Sequence, residues 1–374
     1  MWTPSEEERA LLDLVQKFSL EKIRPVISAY EEKGEFPKSI FEELASLSLL
    51  GMLTPEKYQG VGLNFLTYAA VLEEISKSSL SVAVSLSVTG LPQFIISTFG
   101  NDLQKEKFLP DLATGKKLGA FSLTESGSGS DAAALKMRAQ QKGDSYILNG
   151  TKAFVTNGSL ADTLVVFART SQDKTKGISA FIVEKGDFHV SKIEKKMALD
   201  ASLTTEIIFK DTKISEKNLI GGEGDGFLIA MQALNGGRIT MGACAVGLAT
   251  RAFEEAKEYV KMRHQFGKPL SVLQGIQLIL ADMATGIESS RLLVQKAATL
   301  RDQGKPFIKE ASMAKVAATD MAMQVTTKAV QLFGGNGYCQ DYPVERFMRE
   351  AKVLQIVEGT NQIQRLVIAK QVLQ

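Results

Sequence analysis

Asp162-Thr163-Leu164-Val165-Val166-Phe167-Ala168 is a short run rich in β-branched and aromatic residues. A second run of the same kind, Gly177-Ile178-Ser179-Ala180-Phe181-Ile182-Val183, follows it. Shorter ones, Ser145-Tyr146-Ile147-Leu148 and Thr205-Glu206-Ile207-Ile208-Phe209, lie to either side. Gly, Asp and Asn separate them. Short β-rich runs punctuated by turn residues predict antiparallel strands in a small barrel or sandwich. This segment, 119–228, divides the chain, because the residues before and after it read differently.

Working outward, residues 1–118 read as helical. Leu11, Leu12, Val15, Phe18 and Ile23 recur at helical spacing. Thr3-Pro4-Ser5-Glu6 has the form of a capping box with Pro at the first helical position. Phe36–Leu44 opens a further amphipathic helix, and 66–75 continues the pattern. The most apolar stretch, 80–99, is broken by Ser81, Ser85, Ser87, Thr89, Gly90, Pro92 and Gln93. It reads as a buried helix and turn, not a membrane span. Beyond the middle segment, 229–374 returns to helical periodicity. Helix candidates are 227–236, 238–264, 272–304, 307–333 and 342–356, and long helices with short loops predict a four-helix bundle. The fold class is therefore α+β: an N-terminal α-helical domain, a middle antiparallel β-barrel or sandwich, and a C-terminal helical bundle.

Composition narrows the function classes. With 374 residues, 44% hydrophobic and 23% charged residues and a formal net charge of +2, the chain has an ordinary soluble globular composition. A near-neutral balance without a basic run gives no support for nucleic-acid binding. The acidic start, Trp2-Thr3-Pro4-Ser5-Glu6-Glu7-Glu8, is neither a signal peptide nor an Arg-rich transit peptide. The expected compartment is the bacterial cytoplasm, or the mitochondrial matrix if the chain is processed. Two cysteines, Cys244 and Cys339, and two histidines, His189 and His264, argue against a disulfide framework or a metal site. Both histidines read as surface or loop residues.

Glu358 stands in Ile356-Val357-Glu358-Gly359-Thr360-Asn361-Gln362-Ile363-Gln364. Beside the apolar run Val353–Val357, such a carboxylate can acquire a raised pKa and serve as a proton-abstracting base near neutral pH; read alone, a Glu beside a Gly is more often a helix-end or loop residue. Gly221-Gly222-Glu223-Gly224-Asp225-Gly226 lacks a βαβ context and reads as a turn into a helix, not a dinucleotide fingerprint. Phe121–Asp131 is a loop dense in hydroxyls and backbone N–H groups, either a surface loop or a seat for phosphate or a flavin edge. Gln331-Leu332-Phe333-Gly334-Gly335-Asn336-Gly337-Tyr338 and Arg263-His264-Gln265-Phe266-Gly267 each end a helix. The glycines suit a C-cap or a close phosphate, and the arginine suits a pyrophosphate or the helix C-terminus.

Together, in this order and over nearly the whole chain, these segments resemble the acyl-CoA dehydrogenase family of flavoenzymes. Thr124-Glu125-x-x-Ser128-Gly129-Ser130-Asp131 resembles its first motif. Gln331-x-x-Gly334-Gly335-x-Gly337-Tyr338-x-x-Asp341, with Arg346 and Glu350, resembles its second. Lys152–Gly158 resembles the flavin-flanking strand, and Glu358-Gly359-Thr360 the segment of the catalytic base. The resemblance implies FAD, a helical–β–helical fold, a homotetramer, and α,β-dehydrogenation of an acyl-CoA to a trans-2-enoyl-CoA. Electrons would pass to electron-transfer flavoprotein. Glu358 would remove the α proton, and its N–H would hold the thioester oxygen. By position, Phe121, Leu123, Thr124, Phe154 and Thr156 would line the flavin. Ser130 would bind the flavin pyrophosphate or the pantetheine. Arg263, Gln265, Phe266, Gln331 and Gly335 would reach the adenine and pyrophosphate of a neighbour's FAD, with Thr360 and Gln362 completing that site. Arg238 and Gly359 join Ser130 as substrate-side residues.

Phe154 stands where many relatives have Trp, Val357 where several have Tyr, and Gly237 where some place the base. Segments 124–136, 146–154, 177–185 and 234–239 resemble isobutyryl-CoA dehydrogenase; 306–311 resembles the butyryl-type enzyme. Both imply short acyl groups, linear or α-branched. Gly236-Gly237 would either make room for an α-methyl group or interrupt a helix. The rival readings are an acyl-carrier-protein dehydrogenase or an acyl-CoA oxidase on the same fold, and a non-catalytic CoA- or flavin-binding protein.

Overall fold

The computed structural model describes residues 2–374. The first helix, α1 (Glu6–Phe18), is capped by Ser5, whose hydroxyl accepts from the Glu8 N–H at 3.2 Å while Glu8 Oε2 accepts from the Ser5 N–H at 2.8 Å. The capping box therefore sits two residues later than the sequence suggested at Thr3. The later start places Glu6, Glu7 and Glu8 in the first turn, where the positive end of the helix dipole favours them. Helices α2 (Ile27–Lys33), α3 (Lys38–Ser46), α4 (Phe65–Ser76), α5 (Leu80–Phe99) and α6 (Asp102–Ala113) complete the N-terminal layer. The expected turn within α5 is absent: the helix runs through Gly90 and Pro92. By length and composition α5 would cross a membrane, yet 83% of its most apolar window lies inside the protein, so it is a core helix.

The middle strands are β1 (Gly119–Ser122), β2 (Arg138–Lys142), β3 (Ser145–Thr156), β4 (Thr163–Arg169), β5 (Ile178–Glu184), β6 (His189–Ile193), β7 (Thr204–Ser215) and β8 (Leu219–Ile220). They form one eight-stranded sheet in the order β6-β7-β3-β2-β4-β5-β8, with β1 also on β4. The expectation of antiparallel strands needs correction at β4, which runs parallel to β1 and, at Arg138 and Arg169, to β2. The cause is local. Leu118 O accepts from Asp162 N at 2.8 Å and Thr163 N at 3.2 Å, so β1 and β4 start at one edge and run the same way. The other pairings are antiparallel.

The C-terminal part begins with α7 (Gly226–Met262), entered through the Gly221–Gly226 turn. A two-stranded hairpin of β9 (His264–Gln265) and β10 (Lys268–Pro269) follows. Then come α8 (Gln274–Asp302), α9 (Ile308–Phe333), α10 (Val344–Leu354) and α11 (Asn361–Val372). The two helices read from the sequence on either side of Gly237 are one 37-residue helix. The last helix, α11, was not read from the sequence. It packs with α7, α8 and α10 around α9, so the bundle has a fifth, short member. α4 lies across α7 and α8, and one hydrophobic core joins the N-terminal helices to the bundle. A second core lies between α5, α6, the sheet and the start of α7, and a third on the other side of the sheet.

Candidate active site

Glu358 lies in the turn between α10 and α11, in a left-handed conformation with φ +55°. A non-glycine residue pays for that conformation in strain. Four of the eight non-glycine residues with positive φ, Phe154, Asn157, Phe266 and Glu358, fall in or beside the segments singled out from the sequence. The turn is held from several sides. Asn361 N donates to Gln355 O at 3.0 Å. Gln364 Nε2 donates to the carbonyls of Glu358 at 3.2 Å and Gly359 at 3.0 Å. Thr360 caps α11 by accepting from Ile363 N. Gly359 has φ +87°, and a Cβ there would lie 2.6 Å from Gln364 Nε2, so the turn requires glycine.

The residue as a whole is half-buried, but Oε2 of Glu358 is fully buried and has no hydrogen-bond partner. Burial pushes the carboxyl up to about 7, against the opposing pull of Arg238 and Lys315. The Glu358 N–H likewise finds no acceptor among the described residues. A weakly acidic carboxyl and a free N–H thus project from one turn.

Gly237 on α7 faces this carboxylate. A Cβ at that position would overlap Oε2 and lie 2.7 Å from Cδ of Glu358. Gly236 faces the other way, where a Cβ would lie 3.1 Å from Cζ of Arg301. The glycine pair therefore does not break α7; it lets the Arg301 and Glu358 side chains come up against the helix backbone. Arg238, next on the helix, is buried and donates to Asn235 Oδ1 at 2.7 Å. Burial lowers its pKa, and the Glu358 carboxylate opposes that shift.

The flavin-type segments of the sequence meet in the middle domain. Ala153 N donates to Thr124 O at 2.8 Å, joining β3 to the loop after β1. Lys152, fully buried, donates to Leu123 O and to Glu125 Oε1, both at 2.9 Å. Glu125 in turn accepts from the N–H groups of Lys136 at 2.7 Å and Met137 at 2.9 Å. These bonds join the segment carrying Phe121, Leu123 and Thr124 to the end of β3 carrying Phe154 and Thr156. Phe154 is 63% exposed there, an uncovered ring on a strained backbone. Ser130 lies in the same loop. The N–H groups of Gly127, Gly129 and Ser130 make no bond among the described residues, and a Cβ on either glycine would meet nothing within 4 Å. Open backbone donors beside an exposed aromatic face fit the phosphate and ring of a flavin nucleotide.

From the end of β3 a set of buried polar contacts leads toward α7, through Ser87 and Thr240, which were not read as site residues. Asn157 Nδ2 donates to Ser85 O at 3.0 Å, Ser87 Oγ to Thr240 Oγ1 at 2.9 Å, and Thr240 Oγ1 to Gly237 O at 2.9 Å. All four side chains are buried. The contacts run from the residue after β3 through α5 to the Gly237 carbonyl on α7, the helix that faces the carboxylate.

A different set gathers at the far end of the bundle. Arg263, Gln265 and Phe266 lie at the C-terminus of α7 and in the hairpin, and Phe266 is 89% exposed. Gln331 and Gly335 lie at the end of α9. The Tyr259 ring stacks on Phe333 at 3.9 Å, and Asn336 Nδ2 donates to Tyr259 Oη at 2.9 Å, which brackets both groups together. Residues 238 and 263 are separated by roughly 37 Å along α7 at about 1.5 Å per residue. The structure does not bring Arg263 to the Glu358 end of its own helix. Thr360 and Gln362 stay with the Glu358 turn, and Gln362 is exposed. His189 and His264 are both exposed.

Comparison with known proteins agrees with this layout. The N-terminal, middle and C-terminal domains of acyl-CoA dehydrogenases match residues 5–116, 120–212 and 224–373. A short-chain specific acyl-CoA dehydrogenase of Clostridium acetobutylicum is 45% identical over 98% of this chain and 97% of its own. The butyryl-CoA dehydrogenase structure from Megasphaera elsdenii superposes with a TM-score of 0.98 at 44% identity, covering all of both chains. A chain solved in work on the electron transferring flavoprotein of Acidaminococcus fermentans and flavin-based electron bifurcation gives 0.97 at 43% identity, again covering both chains fully. The motifs, the three-part fold and these likenesses coincide: the chain belongs to the acyl-CoA dehydrogenase family and is an FAD-dependent enzyme.

Proposed function

We propose that this enzyme converts a short-chain acyl-CoA to its trans-2-enoyl-CoA, with Glu358 as the base that removes the α proton. The observation that carries this reading is the Glu358 turn. It offers a buried, unpartnered carboxylate oxygen with a pKa near 7 beside an uncommitted N–H of the same residue. A carboxylate with an ordinary pKa is a poor match for an α C–H; one raised toward neutrality and shielded from water is a better base. The Glu358 N–H holds the thioester oxygen, where charge develops as the proton leaves. The acceptor for the β C–H electron pair is what bound FAD supplies.

In this reading Phe121, Leu123, Thr124, Phe154 and Thr156 hold the flavin ring, and Ser130 with the neighbouring free N–H groups holds a phosphate. Arg238, buried on α7, is a charge that favours the ionised base, and it remains either a structural or a CoA-side arginine. Arg263, Gln265, Phe266, Gln331 and Gly335 serve the FAD of a neighbouring copy, since their end of α7 is beyond the reach of a dinucleotide seated at the other. Thr360 and Gln362 complete that shared site. Exposed apolar residues on α8 and α11, among them Leu278 at 63% and Leu366 at 66%, suit burial in a homotetramer. Electron-transfer flavoprotein as the electron acceptor is supported by the work on an electron transferring flavoprotein in which a similar chain was solved.

Anaerobic addition of butyryl-CoA to the purified enzyme tests the reaction. The flavin absorbance should bleach, and crotonyl-CoA should form. A flavin that stays oxidised across an acyl-CoA panel but bleaches with acyl-carrier-protein thioesters would transfer the reading to the carrier-protein class.

Chain length is expected to peak at four or five carbons and to fall by eight. One methylene is worth only about 1–3 kcal/mol in an apolar pocket, so preference is graded where there is room and steep where the pocket closes. The Gly236-Gly237 backbone, free of side chains beside Glu358, leaves the tolerance of an α-methyl group to be read from butyryl- against isobutyryl-CoA. Comparable rates on butyryl- and isobutyryl-CoA would support an open α position. A maximum at octanoyl-CoA in kcat/KM would overturn the short-chain assignment.

Arg263→Ala should lower FAD occupancy and loosen the oligomer together, because a cofactor site spanning two copies links the two equilibria. Flavin absorbance per chain and sedimentation read both quantities. Full FAD retention in a monomeric variant would exclude a shared site.

A further inference from the structure

We propose that Lys315 is a positioning residue for the base: from the middle of α9 its ammonium clamps the Gly359 carbonyl and the Asn361 side chain, and so aims the Glu358 carboxylate at Gly237. This rests on the reading of Glu358 as the base.

Lys315 lies within the buried stripe of α9, among Ala311, Ala314, Ala318 and Ala322. A lysine is almost never fully buried without a partner, yet its relative exposure is 0%. Its Nζ donates to Gly359 O at 3.1 Å and to Asn361 Oδ1 at 2.8 Å. These two acceptors lie one and three residues after Glu358. The clamp is itself held. Asn361 Nδ2 donates to Thr319 Oγ1 at 2.9 Å and to Asp320 Oδ1 at 2.7 Å, and Thr319 Oγ1 donates to Lys315 O at 2.8 Å. Asp320 also accepts from Gln355 and Arg365, both at 2.6 Å. The α10–α11 turn is thus anchored from α9 on both sides of the base.

The geometry has an electrostatic consequence. The charged groups facing Lys315 are Glu358 from the turn, Asp320 from its own helix and Arg238 from α7. Burial lowers the Lys315 ammonium to about 7, while Glu358 and Asp320 support its charge. Lys315 and Arg238 in turn oppose the rise that burial imposes on Glu358. Removing the Lys315 cation removes one of the two influences that favour the Glu358 carboxylate. The carboxyl should then titrate at higher pH, and less of it should be ionised at neutrality.

The test compares Lys315→Met with Lys315→Gln in the FAD-loaded enzyme. Anaerobic flavin reduction by butyryl-CoA is measured from pH 6 to 9 alongside acyl-CoA binding. In both variants the acidic limb of the reduction rate should move to higher pH. The rate at pH 7 should fall on the order of 10- to 100-fold, less for Gln, which keeps a polar N–H donor on that face of α9 although one bond shorter. Acyl-CoA affinity should change far less than the rate. A lysine that only supports packing would lower the melting temperature and leave the acidic limb in place, and that result in either variant overturns the proposal. If Met prevents folding, the Gln variant decides alone. Failure of the base reading is distinguished by Glu358→Gln: if that variant still reduces the flavin, there is no base for Lys315 to position.

Discussion

Glu358→Gln is expected to reduce flavin reduction by butyryl-CoA on the order of 10²- to 10⁴-fold or more, with FAD and acyl-CoA still bound. Glutamine keeps the side chain's length and shape, so the turn held by Gln364, Asn361 and Lys315 is preserved. What is lost is the buried oxygen that accepts the proton. In the parent enzyme the rate should climb with pH through about 7, since the base works only when ionised and burial sets its pKa there. That limb should vanish in the variant.

Stability gives an independent reading of the same group. A carboxyl whose folded pKa is raised from 4.5 to about 7 holds its proton more tightly in the folded state. Stability associated with it is therefore present at low pH and falls as pH rises from about 4.5 through the folded value. A shift of this size corresponds to a ceiling of about 3–4 kcal/mol before solvent screening. Glu358→Gln should accordingly melt higher than the parent at pH 8, with the gap closing toward pH 5. Near-parental flavin reduction, or a melting difference independent of pH, would remove Glu358 from the role of base.

The second large effect is expected from Gly237→Ala. Alanine in a helix interior is favoured over glycine by about 1 kcal/mol, so α7 itself should tolerate or even welcome the change. The added methyl, however, would sit 2.7 Å from Cδ of Glu358 and overlap its Oε2. Gly237 and Glu358 are packed together, and neither backbone can retreat. α7 is buried among α4, α5, α8 and α9, and the Glu358 turn is clamped by three side chains. The carboxylate must swing away, and a displacement of about 1 Å costs on the order of 10²-fold in rate. The variant should keep FAD and its helical content. The double change Gly237→Ala with Glu358→Gln should be no slower than Glu358→Gln alone, because both act on one group. Additive losses would mean that Gly237 acts elsewhere, and an unaffected rate would mean that the carboxylate is not held against it.

The succession of helices, strands and helices was legible in the sequence because period and turn chemistry are local. Leu164–Phe167 and Ile178–Val183 alternate with turn residues and became β4 and β5. The apolar spacing of α8 and α9 placed those helices nearly to the residue. The Glu358 segment, the glycine-rich loop at Ser126–Ser130 and the Lys152–Gly158 strand were recognisable for the same reason, since each is a contiguous string. Lys315 also left a local trace, a charge inside the apolar stripe of α9.

Other features depended on partners far along the chain. That α7 continues through Gly236-Gly237 is not a matter of propensity, which disfavours two interior glycines by about 1 kcal/mol each. Burial against the neighbouring helices outweighs that cost, and Arg301 and Glu358 need the missing Cβ atoms. The parallel pairing of β1 with β4 follows from Leu118 O receiving both Asp162 and Thr163, residues separated from it by a hairpin. The path from Asn157 through Ser85, Ser87 and Thr240 to Gly237 joins three elements, and no window of sequence contains it. The residue types of the site are fixed by the sequence. The pKa of Glu358 is fixed by tertiary structure, because desolvation and the approach of Arg238 and Lys315 exist only once α7, α9 and the α10–α11 turn have packed together.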